Sequence, residues 1–430
     1  MQENITLKMV QLWLLFTTYV FVVLDAAMCP DRDNTDEMRD LYLKYHNDKR
    51  SRLAKGKERD LHRRLGPAKN IYKLSWSCEL EKIAKELAQG CGYDFTRHRS
   101  YGQNRETFYG SYGVTTFDVK NHIKQALDKW WGKVKKSYVH QDNKYDSSLF
   151  EFSNMAHYKN TELGCAHVIC EDPSFSKLQV LCVYKRLSYL GNSIMWRNGK
   201  YCRVGNDCTV FPNSRCEDGL CVRPDEQPDS GASQICRSNG VMTDAVRNAF
   251  LDMHNFYRSI VATGRAVDKI DKRAPKAAAM PKLKYSCELE QSATYHAGFC
   301  KFSHSKADDV GENLYTNDTP GFDKRTIAEI ATERWFEELE DYGVGKANIL
   351  TQQLFNRTGQ IGPYTQLVWQ GTRHVGCGIR DCHSSTLVVC QYKNAGNVLD
   401  NKIYEIGRPC SKCAAREQCT PVEGLCISRA

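Results

Sequence analysis

The chain has 430 residues, with 60 Lys and Arg against 51 Asp and Glu, a formal net charge of +9 and 20 cysteines. So many cysteines point to an oxidising compartment, which excludes an ordinary reduced cytosolic protein. Structural zinc is the weaker reading, because only Cys410 and Cys413 approach a C-x-x-C knuckle and their counterparts Cys202 and Cys208 do not.

From the N-terminus, Lys8 is followed by an uncharged, mostly apolar run from Val10 to Leu24, then Asp25-Ala26-Ala27. That is the layout of a secretory signal over residues 1–27, and the run is shorter than the ~20 residues a membrane span needs. Export to the extracellular space follows, with no transmembrane segment and no nucleic-acid partner. Asp25 sits where a small residue is preferred for cleavage, so an uncleaved anchor is the alternative.

The cysteines then fall into two sets of ten with the same rhythm. Thirteen residues separate Cys78 from Cys91 and Cys287 from Cys300; five separate Cys165 from Cys170 and Cys377 from Cys382; twenty separate Cys182 from Cys202 and Cys390 from Cys410. The chain is a tandem duplication of one disulfide-framed domain. Each half, about 200 residues, is long enough to bury a core without its neighbour.

Each repeat opens with a predicted helix. Thr35-Asp36 and Thr243-Asp244 are N-cap and first-turn residues, followed by Met38, Leu41, Tyr42 and Tyr45, or Val246, Ala249, Phe250 and Met253, at helical spacing. Both helices reach one string: His46-Asn47, Arg50-Ser51, Ala54 and Gly56 match His254-Asn255, Arg258-Ser259, Ala262 and Gly264. A shared SCELE (Ser77–Glu81, Ser286–Glu290) opens a second amphipathic helix, and a third carries Trp130 or Trp335. Two late strands are predicted at Gly164–Ile169 and Val180–Tyr184, and at Gly376–Ile379 and Leu387–Tyr392. Helices early and strands late give an α+β fold. The expected layout is a first domain over 28–190, a Cys-rich tail over 191–223, a linker over 224–235, a second domain over 236–400 and a second tail over 401–430. The tails have little apolar content and are expected to be held by their bridges.

Residues 29–223 hold 34 Lys and Arg against 24 Asp and Glu, and much of the excess lies in Lys49–Arg64. The functional reading is contact with sulfated glycans, acidic lipid head groups or an acidic protein; the bland one, which is favoured, is a solvated helix end and loop.

These strings together resemble the CAP superfamily: cysteine-rich secretory proteins, antigen 5 venom allergens and pathogenesis-related 1 proteins. The second repeat carries the motifs: Gly362 to Trp369 (GPYTQLVW), Cys390-Gln391-Tyr392 with Gly396-Asn397, Ser303-His304-Ser305, and Gly311-Glu312-Asn313-Leu314. Two such domains, each with a Cys-rich tail, look most like the double-domain activation-associated secreted, or venom-allergen-like, proteins of parasitic nematodes. The resemblance implies an α-β-α sandwich with a central cleft holding two histidines and two carboxylates. In the second repeat the matching positions are His304, Glu312 and Glu338, with Pro363 in place of the other histidine. In the first they are Phe95, Gln103, Lys133 and Glu151, none of them a family group. The first cleft is therefore expected to bind no metal. The second is read as a hydrogen-bonded polar cluster, with a weak site for a divalent ion such as zinc as the alternative.

No catalytic residue is assigned: Ser303 and Ser305 beside His304 are poorly placed as nucleophiles, and the cysteines are committed to bridges. Asn317 and Asn356 head glycosylation sequons; Asn4 also matches but precedes the apolar signal core. The function expected is a secreted, non-enzymatic protein binding host or extracellular partners and modulating host immunity. A sterol or fatty-acid carrier, as some relatives are, is one alternative. A metal-dependent hydrolase in the second repeat is the other.

Overall fold

The computed structural model describes residues 28–89, 98, 100–110, 117–171, 176–188, 193–225, 227–237, 240–318, 320–357, 359 and 361–428. The signal over 1–27, Cys91 and Phe95 lie outside the described residues.

Helix α1 spans Asp36–Ala54, α2 Cys78–Gln89, α3 Val119–Lys136 and α4 Phe150–Ala156; the second repeat follows with α5 Asp244–Ala262, α6 Cys287–Ala297, α7 Lys324–Asp341, α8 Gln352–Asn356 and α9 Gly362–Leu367. The expected caps form: Thr35 Oγ1 accepts the Met38 N–H and Thr243 Oγ1 that of Val246. The shared glycines end α1 and α5. Gly56 and Gly264 have φ of 65° and 74°, and the next N–H of each reaches back to Arg52 O or Ile260 O. This closing turn suits glycine because no Cβ opposes a positive φ.

Each repeat holds one four-stranded sheet. In the first its order is Ser75–Trp76, Glu162–Glu171, Ser176–Tyr184, Gly102–Tyr109; in the second it is Lys284–Tyr285, His374–Asp381, Thr386–Lys393, Gly311–Asn317. The first pair of each is parallel and the others antiparallel. Alternation along Ser176–Tyr184 shows the layers. Leu181 and Val183 pack under Leu80, Ile83, Ala84 and Leu87 of α2, whereas Val180, Cys182 and Tyr184 face the core beneath α1, α3 and α4. Both faces are buried, which is why the strand reads as a continuous apolar run. An α-β-α sandwich results, as expected. Gly164 and Gly376 allow α2 and α6 to lie this close: a Cβ there would come within 2.0 Å of Glu81 N or 2.3 Å of Glu290 N.

The shared strings are structural pins. His46 Nδ1 lies 2.7 Å from Tyr42 O and Nε2 2.9 Å from Tyr184 Oη; His254 does the same with Phe250 O and Tyr392 Oη, at 2.7 and 2.8 Å. Burial holds both imidazoles down to about 4, so they are neutral. Arg50 donates to the carbonyls of Tyr72, Met155, His157, Tyr158 and Asn160, and Arg258 to those of Pro281, Leu367 and Trp369. Within SCELE, Glu81 and Glu290 receive the buried Arg39 and Arg247.

The disulfides repeat one connectivity. Cys29–Cys78, Cys165–Cys182, Cys202–Cys216 and Cys208–Cys221 match Cys236–Cys287, Cys377–Cys390, Cys410–Cys419 and Cys413–Cys426; Cys300–Cys382 completes the second repeat, and Cys170, the counterpart of Cys382, is also disulfide-bonded. No described cysteine is free.

The largest buried cluster runs through both repeats, beside a smaller one under α2 in the first and another under α6 in the second, and the first tail is packed into the large one as well as bridged. Phe211 of that tail is fully buried, edge-on to Tyr72 at 5.0 Å, with the guanidiniums of Arg186 and Arg223 over its ring at 5.0 and 4.3 Å. The neighbouring Val210 O accepts the Tyr257 hydroxyl of α5 at 3.1 Å.

The joint is also ionic. Glu329, Glu333, Glu337 and Asp341 recur every four residues, so one face of α7 is acidic. Arg186 reaches Glu333 at 2.6 Å and Glu329 at 3.2 Å, and Arg223 also binds Glu329. Lys159 reaches Glu337 at 2.7 Å, Arg197 reaches Asp341 at 2.9 Å and Lys69 reaches Glu340 at 2.8 Å. Every cation in this set comes from the first repeat. Part of that repeat's charge excess is therefore internal, matched across the joint.

Candidate functional site

The second-repeat cleft is built by the edge strand Gly311–Asn317, the strand Thr386–Lys393, α7 and the N-terminus of α9. Glu312 pairs across the strands with Gln391, so both side chains point the same way. Glu312 Oε1 lies 3.0 Å from His304 Nδ1 and accepts the Ser305 N–H at 2.8 Å; its Oε2 accepts the Gln391 amide at 3.0 Å. Burial by itself would raise this carboxyl, but His304, Gln391 and Ser305 together outweigh it and hold it down to about 2. The hydrogen bond to Glu312 raises His304, a side chain 71% exposed beside a carboxylate only 5% exposed.

Glu338 behaves oppositely. It stands one helical turn beyond Trp335, half-buried, and among the described residues Oε2 accepts the Tyr364 N–H, at 3.0 Å, and no other donor. Burial pushes it up to about 8 against that hydrogen bond, with Asp341 adding repulsion, so it is largely protonated at neutral pH. Pro363 opens α9 and supplies no side-chain ligand; its carbonyl accepts the Asn313 amide at 2.9 Å.

His304 and Glu312 are thus brought together, while Glu338 stands apart. Among the described residues, the groups of three metal-ligating side chains with ligand atoms within 4.8 Å are Cys202/Cys208/Cys221 and Cys413/Glu417/Cys426. Their cysteines are all in disulfides, and His304, Glu312 and Glu338 are not such a group. With both Glu312 oxygens already engaged, the residues present do not fit a resident metal ion.

The first-repeat cleft has described counterparts of three of these positions, Gln103, Lys133 and Glu151. Asn104 donates to Glu151 O at 2.8 Å as Asn313 does to Pro363 O, confirming that Glu151 and Pro363 are equivalent. Gln103 is buried and donates to His98 O at 3.1 Å, and Lys133 Nζ lies 3.6 Å from Glu151. A lysine–carboxylate pair stands where the second repeat has Glu338 and Pro363. Gln391 had no place in the sequence-derived set. The only signal for it is its register opposite Glu312, which a linear sequence does not display.

The family model for CAP, the cysteine-rich secretory protein family, matches residues 43–184 and again 251–392. The chain belongs to the CAP family. It is 42% identical over 407 residues to Ancylostoma secreted protein of Ancylostoma caninum, covering 94% of each chain. Venom allergen 5.02 of Dolichovespula maculata is 28% identical over 48% of this chain and 94% of its own length. Among solved structures, Na-ASP-1 aligns with a TM-score of 0.68 and 41% identity, covering 93% of this chain and all of that one. Among the described residues no helix is long and apolar enough to cross a membrane.

Proposed function

We propose that this CAP protein is an exported, non-enzymatic binding protein that acts on another organism's cells or proteins and modulates host immunity. The observation that carries the reading is the contrast between scaffold and cleft. The histidine–tyrosine and arginine–carbonyl pins are duplicated in both repeats, whereas the first cleft has Gln103, Lys133 and Glu151 and the second has Pro363. A hydrolase needs a nucleophile or activated water with an acid or base beside it. In the second cleft the available base, Glu312, is held by three donors and deeply ionised, and Glu338 is protonated and separate. What both repeats share is the pinned scaffold, not the cleft chemistry.

The test is binding of the labelled, correctly oxidised full-length protein to host leukocytes, with hydrolysis of ester and peptide substrates measured in parallel. Saturable cell binding without turnover supports the reading. Turnover abolished by His304→Ala, or cell binding no stronger than that of serum albumin, refutes it.

A further inference from the structure

We propose that the turn at residues 57–64, with the end of α3, is a binding surface for a sulfated polysaccharide. The segment Lys49–Arg64 mixes cations with two acids, and folding separates them. Glu58 is buried and accepts Arg52 Nε at 2.6 Å. Asp60 is buried too, accepting the N–H groups of His62, Arg63 and Val139 at 2.8, 2.7 and 3.2 Å. Both carboxylates are used inside the turn. Arg50 also points inward, to its ring of carbonyls. What remains outside is cationic: Arg59, His62, Arg63 and Arg64 are all exposed.

The turn is fastened to the end of α3. The Leu61 N–H donates to Ser137 O at 3.2 Å, Arg63 Nη2 donates to Val139 O at 3.2 Å, and the His62 and Tyr138 rings are 6.1 Å apart. The exposed Lys135 and Lys136 thereby join the arginines on one surface. Among the described residues, Arg63 is the one member of this set with a carboxylate partner, Asp60 at 3.7 Å.

The second repeat supplies an internal comparison. There Asp268 closes the equivalent turn, accepting N–H groups of Ile270, Asp271, Val344 and Gly345. The Lys269 N–H donates to Leu339 O, as that of Leu61 does to Ser137 O. Yet α7 ends in Glu340 and Asp341, where α3 ends in Lys135 and Lys136. The turn is common to both repeats, and the second also exposes Lys269, Lys272 and Arg273; the first alone continues the positive surface onto its helix end, with Lys135 and Lys136 where the second has Glu340 and Asp341.

A cationic surface on a disulfide-rich protein, with no carboxylate partner among the described residues for its cations other than Arg63, calls for an extracellular polyanion. Guanidinium forks match the paired oxygens of a sulfate, and a row of arginines and lysines suits repeated sulfates along a sugar chain. A membrane surface fits less well, because Leu61, 50% exposed, is the one aliphatic side chain exposed within this set. The inference rests on the exported-binder reading, but its test measures glycan affinity rather than cell binding, so the two can fail separately.

The test is surface-plasmon binding of the full-length protein to immobilised heparin at about 0.15 M salt, where screening already acts within ~8 Å. The variant combines Arg59→Ser, Arg64→Ser, Lys135→Ser and Lys136→Ser. Its charge-matched control combines Lys44→Ser, Lys301→Ser, Lys346→Ser and Lys412→Ser, all at exposed positions. At about fivefold per cation lost at a polyanionic surface, the variant weakens binding roughly 10²–10³-fold, while the control changes it less than about threefold. Equal losses in the two variants would reduce the effect to net charge and overturn the site. So would wild-type binding to phosphatidylserine vesicles without binding to heparin. Matching circular dichroism spectra show that the variants are folded.

Discussion

Glu337→Gln should weaken the whole molecule by loosening the joint between repeats. The carboxylate accepts Lys159 at 2.7 Å, the Tyr158 hydroxyl at 2.9 Å, Arg197 at 3.3 Å and Arg334 at 3.2 Å. Removing one partner from a buried pair costs about 3–5 kcal/mol, because the other charge stays desolvated. Lys159 keeps Glu333 at 3.4 Å and Arg197 keeps Asp341, which lowers the expected loss to about 2–4 kcal/mol. The assay is urea unfolding of the full chain at pH 7, read as a midpoint shift at constant slope. Glu423→Gln is the control: its pair with Lys282 is more than a third exposed on both sides and should contribute under about 1 kcal/mol. A double-mutant cycle with Lys159→Met should give a coupling of about 1–3 kcal/mol. Equal shifts for Glu337→Gln and Glu423→Gln would refute the claim that the joint is a desolvated ionic core. Its pH dependence has a definite sign. Burial alone would raise Glu337, but the surrounding Lys159, Arg197 and Arg334 hold it well below the ordinary range, and Glu329 is also lowered. Their stabilisation is complete above the ordinary glutamate value of 4.5 and is lost as pH falls below it.

Glu338→Gln should stabilise the protein near pH 8 and change little near pH 4.5. The wild-type carboxyl is raised to about 8, so its contribution is present below 4.5 and lost as pH rises towards 8; thermal melts of both proteins across that range check this. Pro363→His alone should give no zinc binding by titration calorimetry, because both Glu312 oxygens stay engaged and Glu338 stays protonated and apart; heat of zinc binding in that variant would show that the missing imidazole is what limits the site. Of the two sequons, Asn356 should carry glycan in secreted protein and Asn317 should not. Asn356 is exposed, whereas Asn317 is buried, donates to the Tyr315 hydroxyl at 3.3 Å and lines the space between the repeats beside Tyr158 and Arg186. Peptide mass mapping after glycosidase treatment in heavy-oxygen water distinguishes the two sites.

The duplication, the helix starts and the layered α+β fold are legible in the sequence because each is a local or periodic signal. A capping threonine lies next to its helix, and the cysteine gaps are counted along the chain. Strands buried on both faces, such as Ser176–Tyr184, announce themselves as apolar runs. The edge strands Gly102–Tyr109 and Gly311–Asn317 do not, since their polar residues face clefts rather than alternating against water. Of the cleft, His304, Glu312, Glu338 and Pro363 could be named from motifs. That Glu312 is saturated by Gln391 and Ser305 while Glu338 is left protonated depended on distances between segments far apart in sequence. The same holds for charge. Composition gives a basic first half, but only the fold decides that Lys159, Arg186 and Arg197 meet α7 while Arg59, Arg64, Lys135 and Lys136 face solvent. Coulomb interactions depend on separation in space and on burial, and neither is a property of the linear chain.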